Sequence, residues 1–89
     1  MDNQKFMNLA KSLVVNYANA HTDATDNVHI DTDQVYLVWL CKTLQNNKAL
    51  LSTTLPDGMY YEVTYNGDKN ECYLDAYKKF ENLCVRFSD

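Results

Sequence analysis

The chain has 89 residues, which is enough for one domain with one hydrophobic core and too few for several. Hydrophobic residues make up 46% of it, with only 2 Gly and 1 Pro, so neither a disordered protein nor a flexible linker is expected. A net charge of -4, from 8 basic and 12 acidic residues, makes nucleic acid an unlikely partner, because phosphate contacts depend on Lys and Arg.

An amphipathic helix is predicted over residues 3–20. Its apolar side chains recur at helical spacing: Phe6, Leu9, Ala10, Leu13, Val14 and Tyr17. Asp2 or Asn3 is suited to cap this helix, because a short polar side chain can accept from the free amides of the first turn. Residues 21–33 are polar and aperiodic, so they are predicted to form a loop.

Three antiparallel strands are predicted in the middle of the chain. They are Val35–Leu40, Ala49–Leu51 and Met59–Tyr65, all rich in β-branched and aromatic residues. The segment Leu55–Gly58 predicts a hairpin between the last two, because Pro56 presets φ and Gly58 tolerates a positive φ. The face of these two strands that is predicted to be buried carries Ala49, Leu51, Thr53, Leu55, Met59, Tyr61, Val63 and Tyr65.

The first strand is apolar on both sides, so its register depends on the turn that follows it. A three-residue turn at Gln45–Asn47 would point Trp39 inward and Lys42 outward, whereas a two-residue turn at Asn46–Asn47 would do the reverse. We favour the first turn, because burying Lys42 without a partner would be costly. The outer face of the sheet then carries an apolar patch formed by Tyr36, Val38, Leu40, Leu50 and Tyr60.

A second helix is predicted from about Lys69 to Arg86. Asp68 and Glu71 resemble a capping box, and a short strand around Cys72–Leu74 is the alternative for the start of this segment. Apolar residues recur at helical spacing along it: Tyr73, Ala76, Tyr77, Phe80, Leu83, Cys84 and Phe87. The predicted fold class is α+β, a single domain over residues 1–89 in the order α-β-β-β-α. It is a three-stranded antiparallel meander with two helices packed on one face.

No catalytic or metal-binding signature is evident. His21 and His29 lie near several aspartates, but the spacing matches neither a zinc site nor the calcium loop of an EF-hand. We therefore expect a non-enzymatic protein with no metal and no cofactor.

The cysteines and the chain's apolar runs bear on its location. Cys41, Cys72 and Cys84 are odd in number and lack the paired spacing of zinc or redox sites. Met1 leads directly into the first helix, and the longest apolar run is far below the ~20 residues of a membrane span. We expect a soluble protein of a reducing cytoplasm, without a signal peptide and without contact with a membrane.

Two surfaces are candidates for binding a partner protein. One is the acidic loop with Asp23, Asp26, Asp31 and Asp33, which would attract a basic surface. The other is the outer sheet patch with Tyr36, Val38, Leu40 and Tyr60, since small monomers rarely expose a contiguous apolar patch.

Nucleic-acid binding is the alternative function, because α-β-β-β-α is also the order of double-stranded RNA-binding domains. Such domains carry basic residues where the last helix begins, to hold phosphates across the groove. The predicted helix begins instead with Asp68, Glu71 and Asp75, so its charge opposes RNA binding.

Four segments of the chain resemble a known family: Lys42–Asn46, Lys48–Thr54, Leu55–Lys69 and Tyr73–Asn82. The chain is similar there to small uncharacterised proteins encoded by phages and prophages of Gram-positive bacteria. That family has no assigned activity, so no functional residue is transferred from it. The resemblance implies an accessory protein in the host bacterial cytoplasm. We expect it to bind and block a host protein such as a defence nuclease, as an anti-CRISPR inhibitor does. A structural homodimer built on the outer sheet face is a further alternative.

Overall fold

The computed structural model describes residues 1–21 and 29–88 of the chain, which form one helix and one antiparallel sheet. The helix α1 spans Asn3–Ala20. The four strands β1 to β4 span Val35–Thr43, Asn46–Thr53, Met59–Asn66 and Glu71–Lys78. Strands adjacent in sequence are adjacent in the sheet, in the order β1-β2-β3-β4.

The bounds of α1 confirm the helix predicted over residues 3–20. Its start is capped by Asp2, whose carboxylate oxygen Oδ1 accepts from the backbone N–H of Lys5 at 2.8 Å. Side chains four apart lie on one side of a helix, and the buried residues follow that spacing: Phe6, Ala10, Val14 and Ala18. This side of α1 packs on the sheet and forms the core with it.

The predicted buried face of β2 and β3 is also confirmed. A three-residue turn at Pro56–Gly58 would set Leu55 opposite Met59, and that predicted register is wrong, because the observed pairs are shifted from it by two residues. Ala49 pairs with Val63 and Leu51 pairs with Tyr61, and all four side chains are buried against α1. We call this side of the sheet the inner face, and the opposite side the outer face. One helix is therefore enough to cover the centre of the inner face.

The predicted register of β1 is wrong, because the turn after it is formed by Leu44 and Gln45. Leu40 pairs with the buried Ala49, and cross-strand partners share a face, so Leu40 points inward. Trp39 pairs with Leu50 and points outward.

Lys42 also lies on the inner side by register, but it sits at the rim of the sheet and is exposed. Its ammonium group donates to the backbone oxygen of Met1 at 3.0 Å. The cost of burying an unpaired charge, on which the predicted register depended, therefore does not arise. A bulge between Leu37 and Trp39 shifts the register further along the strand.

The predicted second helix is wrong, and with it the α-β-β-β-α order. Glu71–Lys78 forms the edge strand β4, which pairs with β3 along its whole length. The alternative of a strand around Cys72–Leu74 had the right type of element but too short a range. Within the described residues the fold is one helix on a four-stranded sheet, so the predicted three-stranded sheet with two helices is overturned.

Residues 79–88 have no regular secondary structure, and we call them the C-terminal arm. The backbone N–H of Lys79 donates to the oxygen of Gly58 at 2.7 Å and extends the pairing of β4 by one residue. Beyond it the apolar side chains are exposed, with Phe80 at 98% and Phe87 at 90%. In the described part of the chain, no helix is long and apolar enough to cross a membrane.

Candidate protein-binding surface

The outer face of the sheet carries a row of aromatic side chains from both edges to the centre. The register places the following residues on it: Tyr36, Trp39, Leu50, Tyr60, Tyr73 and Tyr77. The exposed fraction is 47% for Tyr36, 40% for Trp39 and 52% for Tyr77. No described element packs over this face, because α1 contacts the sheet only from the inner side.

Tyr60 lies at the centre of this face. It pairs with Ser52 on one side and Tyr77 on the other, so two phenol rings stand on neighbouring strands. The Ser52 hydroxyl beneath donates to the backbone oxygen of Met59 at 2.7 Å and is thereby satisfied within the sheet. The polar side chain next to Tyr60 therefore already has a hydrogen-bond partner within the sheet.

Two shallow depressions mark the outer face. One, of about 470 Å³, lies beside Leu50, Tyr60 and Tyr77. The other, of about 380 Å³, lies beside Trp39 and Cys41. Apolar depressions of this kind accept the anchor side chains that dominate protein interfaces.

The charge on the outer face is acidic between β3 and β4. Glu62 and Asp75 are direct cross-strand partners, and like charges in such a pair repel each other. The ammonium group of Lys48 lies 3.1 Å from the Glu62 carboxylate. Asp75 forms no ion pair with any described residue.

Tyr73 contributes a second polar contact at the same edge. Its hydroxyl donates to the carboxylate of Glu71, and this hydrogen bond raises the pKa of the Tyr73 phenol, with the negative charge of Glu71 adding to the effect. The single O–H of Tyr73 is thus engaged by Glu71, and the phenol oxygen remains available as an acceptor.

The structure brings together some of the outer-face residues predicted from sequence and separates others. Tyr36 and Tyr60 lie on the outer face, and Val38 stands at the bulge with 46% of its surface exposed. Leu40 lies on the inner face against the core, so it does not contribute to the outer patch. That partners bind through Tyr36, Val38 and Tyr60 stays a prediction.

The sequence reasoning missed Trp39, Tyr73 and Tyr77 as outer-face residues. Trp39 was assigned to the core, and the two tyrosines were assigned to the second helix. The two-residue spacing of Tyr73, Asp75 and Tyr77 was the available signal, since a two-residue period is that of a strand.

The acidic loop is only partly described. Asp23 and Asp26 lie outside the described residues, whereas Asp31 and Asp33 are exposed at the entry to β1. The Asp31 backbone N–H donates to the Gln34 side-chain oxygen at 2.9 Å, which ties this short 3₁₀ turn together. The attraction of the four aspartates to a basic surface stays a prediction.

The histidines occupy the ends of that loop. The ring of His21 stacks on Tyr17 with ring centroids 3.9 Å apart. In residues 1–21 and 29–88, no group of three or more His, Cys, Asp or Glu is placed to hold a metal ion. Cys41, Cys72 and Cys84 are free and exposed.

The family of unknown function DUF6275 matches residues 7–87 of the chain. The chain belongs to DUF6275. The comparison with curated proteins found no match, and neither did the comparison with solved structures. The DUF6275 match includes all four strands and most of the C-terminal arm. The predicted resemblance to a family of unknown function is confirmed, whereas its phage origin stays a prediction.

Proposed function

We propose that this DUF6275 protein is a non-enzymatic module that binds a partner protein through the outer face and blocks part of the partner's surface. The observation that supports this most strongly is the uncovered aromatic row from Tyr36 to Tyr77. Large exposed apolar patches on small proteins mark interaction sites.

The composition of the outer face suits binding rather than catalysis. Cores of protein interfaces are enriched in Tyr and Trp, and Tyr brings a large contact area with few rotatable bonds. Because these residues stand on hydrogen-bonded strands, little backbone freedom is lost when a partner docks.

The partner we propose is a host protein such as a defence nuclease, by the resemblance to phage-encoded accessory proteins. A nucleic-acid channel is basic, and the acidic loop with Asp31 and Asp33 would steer the module toward it. In this role the outer face provides the contact area of the complex, and the acidic loop raises the rate of association with the partner.

RNA binding is the alternative function, and the argument for it was the α-β-β-β-α order of double-stranded RNA-binding domains. That argument no longer applies, because the strand β4 stands where the phosphate-contacting helix was expected. The charge of -4 opposes it as well. We expect no shift of double-stranded RNA in a gel at low salt, the condition that favours phosphate contacts most.

The test is capture of partners from nuclease-treated bacterial lysate with tagged protein, followed by mass spectrometry. Three forms are compared: the natural chain, Tyr60→Glu on the outer face, and Leu44→Asn as the control. Leu44 is an exposed apolar residue in the β1–β2 turn, away from the aromatic row. We expect a stoichiometric partner with the natural chain and with Leu44→Asn, and its loss with Tyr60→Glu.

Circular dichroism of each form checks that the domain is folded. If Tyr60→Glu fails to fold, Tyr36→Glu on the edge strand β1 replaces it. A further variant with Asn in place of Asp23, Asp26, Asp31 and Asp33 separates the loop from the face. Undiminished capture by both the outer-face variant and the loop variant would rule out the proposal.

A further inference from the structure

We infer that the C-terminal arm of one chain docks on the outer face of a second copy, and that the second copy's arm docks on the first in the same way. The result is an arm-exchanged dimer. The inference rests on the proposed function in one respect, because it takes the outer face to be a protein-binding surface. The arm of the second copy occupies this face until the partner protein displaces it.

The arm has the composition of a docking segment. Phe80 and Phe87 are 98% and 90% exposed, and Leu83 is 71% exposed. At helical spacing Phe80, Leu83, Cys84 and Phe87 fall on one side, so the arm is amphipathic as a helix. A helix this short is marginal in water without a surface to pack on. An arm without regular secondary structure, as in the single chain, is therefore expected before docking.

The first aromatic residue of the arm, Phe80, cannot easily return to its own sheet. The N–H of Lys79 is still bonded to Gly58 in the β4 pairing, and Phe80 follows directly. A reversal needs at least a two-residue turn, so Phe80, which follows Lys79 directly, cannot fold back onto the depression beside Tyr77 of its own chain. Short connections of this kind favour exchange of the segment with another copy.

The charges of the arm and the outer face are complementary. A cation precedes each phenylalanine of the arm, Lys79 before Phe80 and Arg86 before Phe87. On the outer face Glu62 forms an ion pair with Lys48 and lines the same depression as Lys78 and Lys79, whereas Asp75 forms no ion pair with a described residue. An arm cation beside Asp75 would relieve the repulsion in the Glu62–Asp75 pair.

The contact area is sufficient for a stable dimer. A buried phenylalanine removes roughly 150–250 Å² from water, and each arm brings two. Counting both arms and an equal area on the faces that receive them, the exchange buries on the order of 1,200–2,000 Å², the range of standard protein interfaces. The aromatic depression beside Tyr60 and Tyr77 is the natural seat for one ring.

The first experiment is sedimentation equilibrium of the full chain over a wide concentration range. We expect twice the mass of one chain. The double variant Phe80→Ser/Phe87→Ser weakens the association at least about 100-fold, since two apolar anchors are lost. The control Leu44→Asn, which removes an exposed apolar side chain elsewhere, leaves the dimer unchanged.

The second experiment distinguishes arm exchange from a dimer built on the faces alone. Tyr77→Glu damages the face and keeps the arm, whereas Phe80→Ser/Phe87→Ser damages the arm and keeps the face. Each is expected to be monomeric by itself, and their mixture is expected to form a heterodimer through one intact contact. Asp75→Lys, at an exposed position, replaces Tyr77→Glu if that variant does not fold.

Four outcomes would overturn the inference. The first is a natural chain that stays monomeric at high concentration with an exposed arm, and the second is a monomer whose arm is protected from hydrogen exchange by its own sheet. The third is a dimer that survives Phe80→Ser/Phe87→Ser. The fourth is a mixture of the face variant and the arm variant that does not associate. Failure here is separable from failure of the proposed function. Capture of a partner by Phe80→Ser/Phe87→Ser, whose face is intact, tests the proposed function alone.

Discussion

The two faces of the sheet are built from the same strands and differ in almost everything else. On the inner face Ala49, Leu51 and Val63 are fully buried beneath α1. On the outer face Tyr36 and Tyr77 expose about half of their surface, at 47% and 52%. The domain therefore buries its core on one face, and the other face leaves aromatic side chains exposed.

Two consecutive tyrosines show how completely position decides the role. Tyr61 points inward, is 2% exposed, and meets the ring of Tyr17 edge-on at 5.6 Å. Burial raises the pKa of the Tyr61 phenol, with the negative charge of Asp57 adding to it. Tyr60, one residue away, points to the outer face. Strand alternation alone places one ring in the core and the other on the outer face.

The largest expected effect comes from opening the inner face. Phe6→Ala removes a fully buried ring from beneath the sheet and should lower the free energy of unfolding by about 3–5 kcal/mol. Tyr77→Ala on the outer face should change it by less than about 1 kcal/mol, because the ring is half exposed. Urea denaturation followed by circular dichroism measures both.

Phe6→Leu keeps most of the buried volume and provides an intermediate point, with an expected loss below about 1.5 kcal/mol. It also keeps the measurement usable if Phe6→Ala does not fold. Equal losses for Phe6→Ala and Tyr77→Ala would contradict the comparison, because they would mean that both faces contribute alike to folding.

A smaller effect is expected at the one flaw in the inner face. The Asn47 side chain is 1% exposed, and neither its oxygen nor its nitrogen has a hydrogen-bond partner among the described residues. Burying an unsatisfied amide costs about 1–3 kcal/mol. Asn47→Leu keeps the branching and the heavy-atom count of the side chain and removes both polar atoms. It should raise the free energy of unfolding by up to that amount, less the cost of accommodating two larger methyl groups.

The measurement is again the urea midpoint, with Asn46→Leu at the neighbouring exposed position as the control. A loss of stability in Asn47→Leu alone would mean that the amide has a partner in solution, such as a bound water. The inner face would then be satisfied throughout, and the contrast with the outer face would be sharper still.

The sequence predicted the elements whose signals are local. The spacing of Phe6, Ala10 and Val14 predicted α1 with its bounds. The turn signal at Pro56–Gly58 predicted that β2 and β3 form an antiparallel hairpin with the observed buried face, but it did not predict their register. The register of β1 was wrong because it depends on which residues form the turn, and Leu44 at φ 56° is an improbable choice for the left-handed region. No local rule favours leucine there over Asn47.

The last strand was missed because its residues satisfy two periods at once. Tyr73, Ala76 and Tyr77 fit a helix, and Tyr73, Asp75 and Tyr77 fit a strand. The choice is made by tertiary structure, since the free edge of β3 offers a full ladder of hydrogen bonds to β4. The outer face could not be predicted in full for the same reason. Trp39 lies on it only because of the observed register of β1, and Tyr73 and Tyr77 lie on it only because β4 is a strand.

The smallest expected effect concerns the cap of α1, the helix that makes the inner face a core. The backbone N–H of Lys5 donates to the Asp2 carboxylate and lowers its pKa below 3.8, and the positive charge of Lys5 acts in the same direction. A depressed pKa in the folded state contributes stability that is present above pH 3.8 and lost as the pH falls through the lower folded value.

Asp2→Ala should therefore be less stable than the natural chain near neutral pH. The difference should shrink as the pH falls below 3.8 and the natural cap becomes protonated. Asp2→Asn, which caps without titrating, should differ from Asp2→Ala at every pH. Urea midpoints of the three forms between acid and neutral pH check this. A constant difference between Asp2→Ala and the natural chain would show that the charge on the cap has no part in holding α1 over the sheet.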